Sequence, residues 1–199
     1  MAGQRFAKVL AKLKRRYGRW GRHYHTWGHI EALLGHCETV REHLHHPEVV
    51  ELAIYWHDAV YSPLSRRNEI NSAKLMKKRL HGLVQPSQLM HASCLIQATA
   101  SHQLPSGAPK DVAADAAYFL DMDLSILGTS DAEYDIYEGQ IRREYWMIPN
   151  RSFFKARAKI LESFLGRDRL FFTDIFRCMW EEQARHNLAR AVVAAKAKC

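Results

Sequence analysis

Residues 51–61 read ELAIYWHDAVY. Leu52, Ala53, Ile54, Trp56, Ala59 and Val60 make the stretch strongly apolar, yet His57 and Asp58 stand adjacent inside it. Pro47, just upstream, suits the first position of a helix, and the pattern predicts that helix over 49–60. Burying an imidazole and a carboxylate on a core-facing helix is unfavourable unless both find partners. A divalent cation turns that cost into binding energy. Neighbouring helical residues point about 100° apart, so the other ligands must come from other helices.

Outward from this stretch the chain reads as helices joined by short breaks. Phe6, Val9, Leu10, Leu13 and Tyr17 recur at steps of three and four, so residues 1–22 form a basic amphipathic first helix. Thr26 is placed to cap a helix to about 45, with Ile30, Leu33, Leu34, Cys37, Val40 and Leu44 on one side. YSPLSRRN is a loop, 69–83 a helix ending near Gly82, and Pro86 opens a helix to about 102. LPSGAPKD is the clearest connection. Helices are then expected over 111–127, closed by Gly128, from Ser130 to about 147, from an Asn150 cap to 165, and over 175–196. No stretch alternates with period two, and no repeat of 20–50 residues is present. The expectation is one all-α domain over 1–199.

Composition narrows the class. The chain has 199 residues, 47% hydrophobic and 25% charged, which fits a folded domain with a sizeable core and argues against disorder. No apolar run approaches the ~18 residues of a membrane helix. The four cysteines, Cys37, Cys94, Cys178 and Cys199, are scattered without a CxxC, which fits a reducing compartment. A cytoplasmic location is therefore expected. The net charge is +8, and eight basic residues with no acid lie within 1–22. Such a segment reads as a transit peptide, a membrane-surface helix, a nucleic-acid arm, or simply a first helix with its charges in water.

Of twelve histidines, eight fall between 23 and 57. His25 and His29 share one face of a helix start. Asp121 and Asp123 lie in YFLDMDLSIL, and His102 ends LIQATASH. Imidazole and carboxylate together suit zinc, iron, manganese, cobalt or nickel.

The order H…HD…D on a helical chain resembles the HD superfamily of metal-dependent phosphohydrolases. YHTWGHI, WHDAVY and MDLSIL are similar to three segments of the catalytic core of cyclic-nucleotide phosphodiesterases. RHYHTWGHI, WHDAVYSP, NEINSA and DLSILG together resemble an uncharacterised family of predicted HD phosphohydrolases of about 200 residues, over roughly 17–190. The resemblance implies a multi-helix HD-type bundle. It implies His29, His57, Asp58 and Asp123 as ligands of one divalent transition metal, and His25 as the acid that protonates a leaving oxygen. His102 matches a second-site or substrate-contacting histidine of some relatives, and a second cation there would be magnesium or manganese.

Two positions depart from the pattern. Thr26 stands where the phosphodiesterases carry an orienting asparagine, and Ala100 where they carry a carboxylate linked to the second metal. Nothing matches their purine-clamping region. Glu69, in NEINSA, is a candidate for a second cation or a water, although a carboxylate at a helix N-terminus is also favoured by the dipole. Arg22, Arg142 and Arg157 are candidates for phosphate contacts because guanidinium forks match phosphate oxygens. Asp121, two residues from Asp123, points elsewhere on its helix.

The function expected is hydrolysis of a phosphate ester or anhydride of a nucleotide or similar metabolite, with a small phosphorylated substrate as the partner. Two other readings remain open at the level of sequence. One is an HD-fold di-iron oxygenase. The other is a non-enzymatic basic domain on nucleic acid or a membrane surface. The sequence assigns no oligomeric state.

Overall fold

A computed structural model describes residues 2–199. Among them are nine α-helices and no strand: α1 (Ala2–Tyr17), α2 (Trp27–Thr39), α3 (Pro47–Trp56), α4 (Asn68–Leu80), α5 (Pro86–Ala98), α6 (Lys110–Asp123), α7 (Asp131–Glu144), α8 (Asn150–Leu165) and α9 (Asp174–Lys196). Two compact units are present, the first as far as Leu120 and the second Asp121–Cys199, with the boundary inside α6. No helix among the described residues is long and apolar enough to cross a membrane.

In the first unit α3 is the central element. Val49, Val50, Leu52, Ala53, Ile54 and Trp56 are all buried, so this helix is covered nearly all round. It packs on α2, α4 and α5, and α1 packs on α4. Proline opens both α3 and α5, where a missing N–H goes unused. The approach to α3 is anchored from α6. Buried Asp115 accepts from the His45 amide at 2.7 Å, the His46 amide at 2.9 Å and His46 Nδ1 at 2.9 Å.

Seven helices end three to six residues earlier than expected, α1 at Tyr17 rather than 22, α4 at Leu80 rather than 83, α5 at Ala98 rather than 102, α6 at Asp123 rather than 127 and α7 at Glu144 rather than 147; the other two, α2 and α3, bear on the site. The helix after Thr26 stops at Thr39, and a short 3₁₀ turn, Arg41–His43, leads toward Pro47. The residue before a proline avoids the helical region, which favours that break. α3 stops at Trp56, so His57 and Asp58 lie on the turn leaving it. The backbone there finds side-chain partners from other parts of the chain. Arg22 donates to the Asp58 carbonyl at 2.8 Å, and Arg16 to that of Ala59 at 3.0 Å. The Ser72 hydroxyl accepts from the Val60 amide at 2.9 Å, and Asn68 pairs with both backbone groups of Ser62. With those polar groups satisfied, the helix need not continue.

The second unit is held by α8 against α9, and by a 3₁₀ turn, Ser125–Gly128, against α9. A capping box between Ser130 and Glu133 starts α7. Asn150 is the first residue of α8, and Pro149 occupies the cap position expected for it. Asp121 accepts from the Phe172 and Thr173 amides and the Thr173 hydroxyl at 2.7–2.8 Å, fixing the start of α9. Burial pushes its carboxyl up to about 6.

Candidate metal centre

His57 determines the chemistry of the site. It is 2% exposed, and its Nδ1 lies 2.9 Å from the carbonyl oxygen of Ile54, one turn back on α3. A carbonyl only accepts, so Nδ1 carries the proton and donates it. In the neutral ring Nε2 then holds a lone pair. That lone pair faces His29 Nε2 at 3.3 Å and Asp58 Oδ2 at 3.2 Å. Two imidazoles and a carboxylate therefore converge on a space that only a cation, or a further proton, makes favourable. An imidazole whose other nitrogen bonds a backbone carbonyl is the usual arrangement of a metal-ligating histidine.

His29 comes from the first turns of α2, and its burial follows from the apolar face it shares with Ile30, Leu33 and Cys37. Asp123 is the last residue of α6. Asp115 and Phe119 precede it on that helix, within the first unit. Phe119 meets the His57 ring edge-on at 5.7 Å. Within the first unit His29 Nε2, His57 Nε2 and Asp58 Oδ2 surround one space, a group able to hold a metal ion. Two imidazole nitrogens and a carboxylate oxygen suit Zn²⁺, Mn²⁺, Fe²⁺, Co²⁺ or Ni²⁺, and the donor set therefore fits the implied cofactor. Asp58 joins through His57.

His25 stands half-buried beside this group. Its ring stacks on Tyr61 with centroids 4.1 Å apart, and lies 6.4 Å from that of His29. Tyr24 packs against both, at 5.1 Å from His25 and 4.9 Å from His29. Arg22 bonds the His25 carbonyl at 2.9 Å and the Asp58 carbonyl at 2.8 Å, tying the approach to α2 to the turn after α3. It also lies over the rings of Tyr17 and Tyr61. Arg22 thus acts on the site as a brace between two backbone segments.

The remaining candidates lie elsewhere. Glu69 is in the first turn of α4, where its charge meets the helix dipole. Its neighbours in NEINSA, Asn68 and Ser72, hold the loop after Asp58. His102 follows α5 with φ of 48°, and Ser101 and Gln103 on either side of it line an open groove of about 490 Å³ with Lys77, Cys94 and Gln97. Neither Glu69 nor His102 belongs to the three-residue group.

Within the second unit, Arg142 bonds the Tyr145 and Ile148 carbonyls and Asn150 Oδ1, clasping the end of α7 to the start of α8. Arg157 pairs with Glu138 and donates to the Tyr137 hydroxyl at 3.2 Å. Burial raises the Tyr137 phenol, Arg157 lowers it, and the charges of Glu138 and Asp123 raise it again, so the field of Asp123 reaches this cluster.

Three contributors escaped the reading of the sequence. Tyr61 and Tyr24 pack the histidine pair, and Tyr137 lies within the field of Asp123. For the first two, adjacency to the HD and YH motifs was the available signal. For Tyr137 there was none. Comparison with family models, with curated proteins and with solved structures finds no match.

Proposed function

We propose that this protein is a metal-dependent phosphohydrolase that cleaves a phosphate ester or anhydride of a nucleotide or similar metabolite. One observation carries the reading. The proton on His57 Nδ1 is committed to Ile54, so its Nε2 lone pair faces His29 Nε2 at 3.3 Å and Asp58 Oδ2 at 3.2 Å across one small space. His29, His57 and Asp123 would hold the metal, with Asp58 beside His57 completing the negative charge.

A divalent cation in such a site supplies a Lewis acid and brings the pKa of water from about 15.7 to about 7. The chain's own groups do the rest. His25 presents an imidazole at the rim, where it can hand a proton to a departing oxygen. Its stack on Tyr61 fixes the plane of that ring, and the Arg22 brace fixes its backbone. Leu120 and Met122, buried on α6 beside Asp123, line that helix with hydrocarbon.

The test combines metal analysis with turnover. Purified protein is stripped by chelation and titrated with each of the five cations. It is then assayed on phosphomonoesters, phosphodiesters and nucleoside triphosphates. His57→Ala and Asp123→Ala should each lose the bound metal. His25→Ala should keep the metal and lose turnover by ~10²–10⁴, the usual worth of a positioned acid. Full metal occupancy in His57→Ala, or phosphatase activity indifferent to chelator, would overturn the proposal. Oxygen consumption with an iron-only requirement would assign the site to an oxygenase instead.

A further inference from the structure

The basic helix α1 is not explained by the metal centre. Arg5, Lys8, Lys12 and Arg15 are all exposed, and their spacing of three, four and three places them in one row. Ten residues of helix set that row at about 15 Å long. Among the described residues no ion pair involves any of the four. The row is continued by its neighbours. Arg16 is held below its ordinary value first by burial, then by the charges of Arg19, Arg22 and Arg79, so α1, the turn after it and the end of α4 share one repulsive cationic field. Lys74, Lys77 and Lys78 of α4 are exposed as well.

Apolar groups accompany the charges. Leu13 and Tyr17 are buried, but Phe6, Val9 and Leu10, on the same stripe one to two turns earlier, are only half-buried. Trp20, in the turn that ends the helix, is 86% exposed. Uncompensated cations beside half-covered aliphatics, with a tryptophan at the end, are the features of a helix that lies in the headgroup layer of a membrane. A nucleic acid would use the cations but gain nothing from Val9 and Leu10.

We infer that α1 docks this protein on an anionic lipid surface, the arginine and lysine row meeting headgroup charge and Phe6, Val9, Leu10 and Trp20 entering the acyl boundary. The inference is independent of the phosphohydrolase reading, because the test does not involve the metal.

The full chain is sedimented with vesicles of phosphatidylcholine alone and with vesicles in which about one third is phosphatidylglycerol. Binding is expected only to the second, and to weaken steeply as salt shortens the Debye length. A surface cation is worth roughly a fivefold change in partition. Replacing Arg5, Lys8, Lys12 and Arg15 by Gln should therefore weaken binding by several hundredfold. Trp20→Ser, at an exposed site that leaves folding intact, should weaken it about tenfold. Circular dichroism confirms that each variant is folded. Equal binding to both vesicles, or full binding by the folded quadruple variant, would overturn the inference. So would tighter binding to a single-stranded RNA oligonucleotide than to anionic vesicles, since that would make the row a nucleic-acid contact.

Discussion

Asp115 offers the sharpest test of how the fold positions the site. Its two carboxylate oxygens accept separately, Oδ1 from the His45 amide at 2.7 Å and Oδ2 from the His46 amide and ring nitrogen at 2.9 Å each. Asp115→Asn keeps the shape but turns one oxygen into an NH₂ group. Whichever way the amide is oriented, a donor then faces a backbone N–H. An unsatisfied buried amide costs about 1–3 kcal/mol, and loss of the charge-assisted bond adds roughly 1 kcal/mol. The expected loss is about 2–4 kcal/mol, which lowers Tm on the order of 10 °C for a chain of this length. Thermal and urea unfolding followed by circular dichroism would measure it. Asp111 Oδ2 lies 3.5 Å from the other ring nitrogen of His46, so the ring retains one carboxylate neighbour and the loss falls on the backbone amides. A change within ~0.5 kcal/mol would refute the anchoring role. It would also remove the reason for α3, and with it His57, to depend on α6.

Three further outcomes follow from particular contacts. Gly128→Ala would place a Cβ 2.4 Å from the Cβ of Trp180, whose ring is stacked on Phe176 at 4.5 Å. The ring cannot slide aside, so a loss of roughly 3 kcal/mol is expected in urea unfolding, and an unchanged midpoint would contradict the packing. Burial, with the charge of Glu51, pushes the Cys37 thiol up to about 11. The folded state therefore holds this proton more tightly than the unfolded chain. The stabilisation is complete below pH 9 and is lost as pH rises through about 11. Iodoacetamide at pH 8 should label exposed Cys178 and Cys199 and spare Cys37, as peptide mapping would show. Arg157→Met leaves Glu138 without its partner and should cost about 3–5 kcal/mol, while the double change to Met at both positions recovers most of it. Additive losses in that cycle would mean the two side chains do not interact.

Much of the helix content was legible along the chain. Apolar spacing marked the first two helices, composition and the breaks between segments marked the others, and Pro47, Pro86 and Ser130 marked three starts, because these signals act within a few residues of backbone. The ends were less legible. Whether α3 continues through 57–60 depends on Arg16, Arg22, Asn68 and Ser72 reaching backbone groups from other elements. No local pattern contains that information.

The same division holds at the site. Residue types drew attention to His25, His29, His57, Asp58, Asp121, Asp123 and His102, since imidazoles and carboxylates in apolar helices are costly to bury, and the resemblance to HD phosphohydrolases is what implied a role for His25, His29, His57, Asp58 and Asp123. Only the tertiary structure decided that His57 Nε2 meets His29 Nε2 at 3.3 Å and Asp58 Oδ2 at 3.2 Å, and that Glu69 and His102 stand outside that group. It also showed Arg22, Arg142 and Arg157 engaged with carbonyls and carboxylates of the chain itself. A side chain's chemistry is written in its type. What it meets is set by the path of distant backbone, and distances of 3 Å between residues tens of positions apart exist only once the chain has folded.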